Sequence, residues 1–218
     1  MKFTITVATA AHEQYAETIS QMIQEAAIAR GTGIAKRPPE YIRKKMQEGK
    51  AIIALHENTV IGFCYIETWG HRQYIANSGL IVHSDYRKHG LATKIKEAAF
   101  KLSREKYPNA KLFGITTSLA VMKINSDLGY RPVTFSELTD DEQFWQGCQS
   151  CPNYDILMRN NRKNCLCTAM TYDPKEKKGK QWFIRSQIKK YERWLRIKRE
   201  SFLKQKKPIL KLKLFAKS

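Results

Sequence analysis

The sequence predicts a mixed α/β (α+β) fold in which helices flank a mostly antiparallel, twisted sheet. Two observations on the order of the segments support this prediction. An opening strand is followed by two helical segments and then by three consecutive β-type segments, after which helices and strands alternate. The third observation is the length, because 218 residues can bury one core of ordinary size with an appendage but hardly two full domains.

The first half of the chain combines strands with two helices. Helical apolar spacing at Tyr15, Ile19 and Ile23 predicts the first helix. The turn Glu57-Asn58 lies between two β-type runs, which predicts a hairpin. The predicted elements are a strand at 3–7, helices at 12–29 and 40–49, strands at 51–56 and 59–68, and a strand at 74–82.

The second half alternates helices with shorter strands. A capping box, Thr139-x-x-Glu142, predicts one or two helical turns between the last two strands. Ile184, Ile188 and Leu195 form one apolar stripe on a final helix whose other faces are basic. The predicted elements are a helix at 91–106, a strand at 111–116, a helix at 118–128, strands at 131–135 and 154–158, and the C-terminal basic helix at 182–203.

The net charge of +19 is concentrated near the C-terminus. Residues 175–218 contain 17 basic and 3 acidic residues, which leaves a surplus of only 5 positive charges to residues 1–174. We therefore predict a folded domain at 1–173, with a cysteine-rich segment at 147–169, and a basic helix and tail at 174–218. This tail could pack on the domain through its apolar stripe, form a homodimer contact, or bind nucleic acid or an anionic membrane.

The sequence lacks the features of a secreted or membrane protein. Its N-terminal stretch has no apolar run typical of a signal peptide, and no segment reaches the roughly 18 apolar residues of a membrane span. We therefore expect a soluble, cytoplasmic protein. Structural disulfides are unusual in a reducing compartment, so the cysteines are expected to bind a metal or to be buried. Cys64, inside an apolar run, is predicted to lie in the core.

Four of the five cysteines lie close together in the sequence, as Cys148-x2-Cys151-x13-Cys165-x-Cys167. Four thiolates are the number that a closed tetrahedral zinc site requires, and the first pair has a common zinc-knuckle spacing. The pattern therefore predicts a structural zinc. Buried thiols and a redox switch are the alternatives.

The stretch that carries the clearest chemical signal joins a strand to a helix through Arg87-Lys88-His89-Gly90-Leu91-Ala92. The first N–H groups of a helix have no intrahelical partner, and the helix dipole favours negative charge there. Gly90 and Ala92 would let an anion approach closely, and the three basic residues add donors. This turn is predicted to bind a diphosphate, although a plain capped surface helix has the same local features.

The surroundings of this turn make the sequence similar to the GNAT superfamily of acyl-CoA-dependent N-acyltransferases. The similarity covers roughly residues 3–160 and includes R-x-x-G-x-A after the strand GLIV, the strand KLFGITT and the helix-to-turn segment NSDLGYRPV. It implies that the basic turn binds the pyrophosphate of coenzyme A and that the preceding strand pairs with the pantetheine arm. The implied cofactor-binding residues are Leu80, Ile81, Val82, Arg87, Lys88, His89, Gly90, Leu91, Ala92 and Asn125.

The same resemblance implies a reaction in which an amine attacks the thioester directly. Glu67, late in the strand GFCYIET, occupies the kind of position where GNAT enzymes keep a general base, although it could equally form a surface salt bridge. A tyrosine that protonates the leaving thiolate in many members is replaced here by Asn125. Asn125 could hydrogen-bond the thioester sulfur or the pantetheine, and Tyr130 or Tyr65 could donate the proton instead.

The acceptor is predicted from the loop at residues 29–38. Arg30, Lys36 and Arg37 could bind the carboxylates of a small acidic substrate, or they could be solvated loop charges. The segments ARGTGIAKR, GFCYIETW and GCQSC resemble a GNAT subgroup of Bacteroidetes that is associated with arginine biosynthesis and N-acylglutamate synthesis. That resemblance implies L-glutamate as acceptor and acetyl-CoA or succinyl-CoA as donor.

Two other functions stay open at this point. A GNAT enzyme could acylate another amine, such as a protein N-terminus, a lysine or another small molecule. The chain could also be an RNA-binding protein that uses its basic tail and carries a degenerate acyl-CoA site.

Overall fold

The computed structural model describes residues 3–31 and 36–176. The predicted basic helix at 182–203 lies outside these residues, so the division of the chain near residue 173 stays a prediction. Within the described part, no helix is both long and apolar enough to cross a bilayer.

Seven strands form one mixed sheet in the order β1-β2-β3-β4-β5-β7-β6. All neighbouring strands are antiparallel except β4 and β5, which are parallel. The strands are β1 (Thr4–Val7), β2 (Ala51–His56), β3 (Thr59–Trp69), β4 (Tyr74–Val82), β5 (Lys111–Thr116), β6 (Arg131–Val133) and β7 (Thr168–Tyr172). The predicted class, a mostly antiparallel sheet flanked by helices, is confirmed.

Six α-helices lie between the described strands or connect them. Three short 3₁₀ turns, at Ala10–Tyr15, Ser84–Tyr86 and Phe135–Glu137, complete the connections. The helices are α1 (Ala16–Arg30), α2 (Pro39–Gln47), α3 (Leu91–Lys106), α4 (Leu119–Asp127), α5 (Glu142–Gln146) and α6 (Tyr154–Arg159).

Alternation along the central strands places one apolar core on each face of the sheet. Ile52 points to a core that contains Leu91 and Ile95 of α3. Its neighbour Ile53 points to the opposite core, which contains Ile19 of α1 and Ile42 of α2. Because both faces are covered, the central strands are buried over most of their length.

The feature of the sheet that matters most for function is the divergence of β4 from β5. The two strands pair only at Tyr74↔Lys111, Ile75↔Leu112 and Ala76↔Phe113. From Asn77 onward, β4 has no ladder partner on that side. The parallel pair therefore opens toward its C-terminal end and leaves a crevice in the middle of the sheet.

Two predictions for the C-terminal third of the domain were wrong in detail. Residues 154–158 were predicted as a strand but form helix α6. Only Leu157 of this helix is buried. An ion pair between Asp155 and Arg159, four residues apart, supports the helical conformation. The strand that completes the sheet is β7, whose alternating segment TAMTY was not predicted. The N-cap of α5 is Asp141 and not Thr139, because the Asp141 carboxylate accepts the Gln143 N–H at 3.0 Å.

Candidate active site

A cavity of about 370 Å³ lies where β4 and β5 diverge. Residues 77–81 of β4 and 114–116 of β5 line its two sides. Arg37, Tyr41, Glu67 and residues of the cysteine-rich segment also line the cavity. One enclosure therefore joins the crevice of the sheet to several polar side chains.

The β4 wall of this cavity carries a bulge. In the β3–β4 ladder, Phe63 pairs with Ile81 and Tyr65 pairs with Ser78, so two residues of β4 lie opposite Cys64 alone. One of them, Gly79, has a φ of +64°, and a Cβ there would come within 2.5 Å of the Tyr65 ring. Any other residue at Gly79 would meet both backbone strain and this clash. The bulge interrupts the ladder beside the cavity, at the middle of β4.

The basic turn after β4 has the geometry of an anion site. Gly90 is the N-cap of α3 with a φ of +72°, and the space around its missing Cβ is open. Arg87, Lys88 and His89 are exposed, and none of them forms a salt bridge within the described residues. Leu91 is buried and anchors the helix. The first N–H groups of a sixteen-residue helix therefore lie beside three cationic or ionisable side chains.

Glu67 lines the cavity and is held by two donors. Its carboxylate accepts the Tyr41 hydroxyl and, at 2.6 Å, the ammonium of Lys45. The Glu67 side chain is 15% exposed and that of Lys45 is 6% exposed, so this is a largely buried ion pair. Burial, the nearby Tyr65 and the hydrogen bond to Glu67 raise the pKa of Tyr41 well above its ordinary value, which keeps its hydroxyl protonated. Glu67 therefore forms a salt bridge, but a largely buried one and not the surface pair that the sequence suggested, and its role as a base stays a prediction.

Of the predicted substrate-binding cations whose side chains are described, Lys36 and Arg37, only Arg37 lies on the cavity wall. Its Nε donates to the Tyr65 hydroxyl at 2.6 Å, and its guanidinium lies 5.3 Å from the centre of the Tyr41 ring. It forms no salt bridge within the described residues. Lys36 is exposed and does not line this cavity. Arg30 is the last residue of α1, and its side chain is not described.

The residues considered as proton donors lie in different places. Tyr65 lines the cavity, and burial raises its pKa. Tyr130 lies behind β4, where its hydroxyl donates to the Asn77 side chain at 2.9 Å and burial raises its pKa strongly. Asn125 is also buried off the cavity wall, with its Nδ2 3.7 Å from the sulfur of Met170. The identity of the acid stays a prediction.

The four clustered cysteines are half-buried thiols that line the cavity. Burial, together with the neighbouring thiols, raises the pKa of Cys148 to about 11 and that of Cys167 to about 12. Across the described residues, no group of three or more His, Cys, Asp or Glu side chains is arranged to hold a metal ion. The predicted zinc site is therefore not supported, and the thiols instead form part of a cavity wall. Cys64 lies in the core, as predicted.

Several polar residues of the cavity were not found from the sequence. Asn153 is 8% exposed, and its Nδ2 has no hydrogen-bond partner; the buried Nε1 of Trp69 has none either. Both residues line the cavity, as does the buried Lys96 of α3. Asn153 precedes a segment mistaken for a strand, and Lys96 occurs in a helix rich in lysine, so neither stands out in the sequence.

Comparisons with known proteins agree with this geometry. Residues 20–121 match the model of the acetyltransferase (GNAT) family. No curated protein matches the sequence significantly.

Three solved structures illustrate the fold similarity. The N-acetylglutamate synthase from Neisseria gonorrhoeae, complexed with coenzyme A and N-acetyl-glutamate, is 15% identical with a TM-score of 0.58 over 79% of this chain and 35% of that chain. A Mycobacterium tuberculosis protein in complex with CoA is 14% identical, with a TM-score of 0.56 over 78% of this chain and 98% of that chain. A Salmonella typhimurium protein with its cofactor acetyl-CoA is 12% identical, with a TM-score of 0.55 over 81% of this chain and 96% of that chain.

The present chain thus spans only about a third of the length of the Neisseria synthase. The family match, the mixed sheet and the opened β4–β5 pair agree with one another. Residues 20–121, just under half of the chain, match the GNAT acetyltransferase family, and the similarity to GNAT N-acyltransferases predicted from the sequence is confirmed.

Proposed function

We propose that the protein transfers the acyl group of an acyl-CoA to the amino group of a small acidic molecule, with L-glutamate as the leading candidate. The observation that carries this proposal is a set of polar groups without partners on the cavity wall. The guanidinium of Arg37 has no carboxylate partner within the described residues, and two buried donors, Trp69 Nε1 and Asn153 Nδ2, have no acceptor there. Buried donors without partners are costly, and a ligand that bears carboxylates would satisfy them.

Coenzyme A would bind along β4, between the basic turn and the cavity. Its pyrophosphate would bind at the N-terminus of α3, beside Arg87, Lys88 and His89. Its pantetheine arm would extend along Leu80–Val82 and pair with the β4 edge that β5 leaves open. The Mycobacterium and Salmonella structures contain CoA and acetyl-CoA, which supports the same class of co-substrate here.

The reaction would take place at the β4 bulge. A backbone N–H beside Gly79 would stabilise the oxyanion as the amine attacks the thioester carbonyl. Glu67 would accept the amine proton, and Tyr41 and Lys45 would hold its carboxylate in place. The acyl group passes directly from sulfur to nitrogen in a ternary complex, so none of the four cavity thiols is needed as a nucleophile.

L-Glutamate is the leading acceptor for two reasons. Arg37 suits an α-carboxylate, because its guanidinium is held rigidly by Tyr65 at the cavity wall. Asn153 and Trp69 could then bind the side-chain carboxylate. The N-acetylglutamate synthase from Neisseria gonorrhoeae, which shares this fold, is complexed with N-acetyl-glutamate.

A second acceptor class is favoured by the apolar part of the same wall. Trp69, Phe113, Phe144 and Leu157 line the cavity near the unpartnered donors. Such a wall would suit an amino acid with an aromatic or aliphatic side chain, whose α-carboxylate could still bind Arg37.

The test is an amine panel assayed with acetyl-CoA and succinyl-CoA. The panel contains glutamate, aspartate, glutamine, leucine, phenylalanine, lysine, spermidine and an unblocked peptide. Product formation is followed by mass spectrometry, because the protein's own thiols would add to a free-thiol readout. We expect glutamate to exceed glutamine in kcat/KM by about tenfold or more, as expected for loss of one charged hydrogen bond. Equal use of the two would contradict the carboxylate contacts, and no product with any amine would contradict the enzymatic function.

A further inference from the structure

Lys96 is a buried cation for which the fold supplies no counter-ion. The residue is 2% exposed and lies on the inner face of α3, beside the apolar Ile95 and Ala99. Its ammonium donates to the backbone carbonyl of Asn77 at 3.2 Å and lies 5.8 Å from the centre of the Tyr130 ring. Among the described residues, no carboxylate pairs with it.

Such an arrangement is unfavourable in the free protein. An ammonium removed from water loses more than one backbone carbonyl and one aromatic ring return, which is why burial lowers the pKa of Lys96. Every neighbouring core position on α3 is filled by an apolar or small residue, for example Leu91, Ile95 and Ala99. A methionine or leucine would satisfy the packing at residue 96, so packing alone does not account for the lysine.

The position of the ammonium in the crevice is informative. Asn77 directly follows Ala76, the last residue of β4 that pairs with β5. Lys96 also lines the cavity. Its Nζ therefore lies at the closed end of the crevice, at the opposite end of the β4 segment from the basic turn.

A bound donor would direct its acyl chain to this point. If the pyrophosphate binds at the N-terminus of α3, the pantetheine follows β4 backward from Val82. Five residues of extended strand, from Val82 to Asn77, span roughly 16 Å. The thioester would then lie near the bulge, and the atoms beyond its carbonyl would point toward Asn77 and Lys96.

We propose that Lys96 binds a carboxylate at the far end of the donor's acyl chain, so that the donor is the CoA thioester of a dicarboxylic acid. This inference rests on the proposed function and makes its donor specific. The ammonium has three N–H donors, so it can keep the Asn77 carbonyl and add a carboxylate oxygen. An acetyl group has no carboxylate, so it would leave the charge unpaired.

The first experiment measures donor binding without any acceptor. Isothermal titration compares succinyl-CoA with butyryl-CoA, which has the same four-carbon chain but ends in a methyl group. We expect the wild-type protein to bind succinyl-CoA at least tenfold more tightly. Equal affinity for the two would overturn the inference while leaving the proposed CoA site intact. Failure of every acyl-CoA to bind would instead contradict the proposed function.

The second experiment removes the charge with Lys96→Met, which keeps a similar length of side chain. The matched control is Lys101→Met, because Lys101 is an exposed lysine on the same helix. We expect Lys96→Met to abolish the preference for succinyl-CoA and to leave the affinity for butyryl-CoA unchanged within about threefold. Lys101→Met should retain the wild-type preference.

Two outcomes of the variant experiment would contradict the proposal. If steady-state kinetics show an equal loss of kcat with both donors, Lys96 is assigned to protonation of the leaving thiolate. If the titration shows an unchanged preference for succinyl-CoA, any contact between Lys96 and the acyl chain is excluded. If Lys96→Met does not fold, the comparison of the two donors on the wild-type protein decides alone.

Discussion

Two lysines are buried near the centre of this protein, and their partners differ. Lys45 of α2 is 5% exposed and pairs with the Glu67 carboxylate at 2.6 Å. Lys96 of α3 is 2% exposed, donates to a backbone carbonyl and lies 5.8 Å from the centre of the Tyr130 ring. The first charge is neutralised inside the fold, whereas the second has no carboxylate partner among the described residues. We therefore assign Lys45 to the positioning of Glu67 and Lys96 to the binding of a ligand.

The largest expected effect comes from Glu67→Gln. This substitution removes the carboxylate that pairs with Lys45 and that Lys96 lacks. If Glu67 is the general base, kcat should fall about 10²- to 10⁴-fold, while the affinity for CoA stays unchanged. Steady-state kinetics and CoA titration measure the two quantities. An unchanged kcat would remove Glu67 from the mechanism and leave its pair with Lys45 as a structural feature.

A comparison of Lys45→Met with Lys96→Met tests the two lysines through stability. Lys45→Met leaves the Glu67 carboxylate buried without its cation, and we expect a loss of about 3 kcal/mol in the free energy of unfolding. Lys96→Met removes an unpaired charge and should raise that free energy by about 1 kcal/mol. Urea denaturation measures both changes. A comparable loss in both variants would mean that Lys96 stabilises the free protein as Lys45 does.

The pH dependence of stability sharpens this comparison. Burial lowers the pKa of Lys96 from its ordinary value of 10.5, so between the two values the unfolded chain binds more protons than the folded one. The free energy of unfolding of the wild type should therefore rise with pH in that window, relative to Lys96→Met. Urea denaturation at several pH values measures the difference in free energy of unfolding between the wild type and Lys96→Met. If this difference does not become smaller toward pH 10.5, the lowered pKa of Lys96 is contradicted.

The third expected effect concerns Arg37, a cation that has hydrogen-bond partners but no carboxylate. Arg37→Gln should raise the KM for an acidic acceptor about 10- to 100-fold, because a charged hydrogen bond contributes about 1.5–3 kcal/mol. The KM for acyl-CoA should not change. Lys36→Gln is the matched control, since Lys36 is exposed and lies off the cavity wall. An equal effect of both substitutions would indicate general attraction of an anion and not a specific contact.

The smallest expected effect concerns the thiols of the cavity, which like Lys96 are half-buried or buried ionisable groups. Burial raises the pKa of Cys148 to about 11, so at pH 8 its thiolate fraction should be about 100-fold below that of an ordinary cysteine. Cys148 should therefore react slowly with iodoacetamide, and the rate should increase with pH up to about pH 11. Mass spectrometry of the alkylated peptide, with an unfolded control, measures the rate. Rapid labelling at neutral pH would contradict this assignment.

Particular residues explain why parts of the site could be predicted and others could not. The basic turn was found because Gly90 and its neighbours combine a local backbone requirement with local charge. Glu67 was found through its place on a strand, but its partners Tyr41 and Lys45 lie more than twenty residues earlier and give no signal there. The spacing of the cysteines favoured zinc, but the spacing cannot tell whether four thiols converge on one point or line a wall. Residues 154–158 were mistaken for a strand because a short apolar run is compatible with both the helical and the strand repeat of apolar residues.

The sequence by itself determined the elements up to α4, the hairpin, the basic turn before α3 and the similarity to the GNAT family, because these depend on periodicity and on contacts between near neighbours. Tertiary structure alone decided which side chains share the cavity and which charges have partners. It paired Lys45 with Glu67 and left Lys96 facing the closed end of the crevice between β4 and β5. The physical reason is that burial and pairing of a charge depend on distances between residues far apart in the chain. Helix α3 has lysines at both buried and exposed positions, so its sequence pattern does not show which lysine is buried.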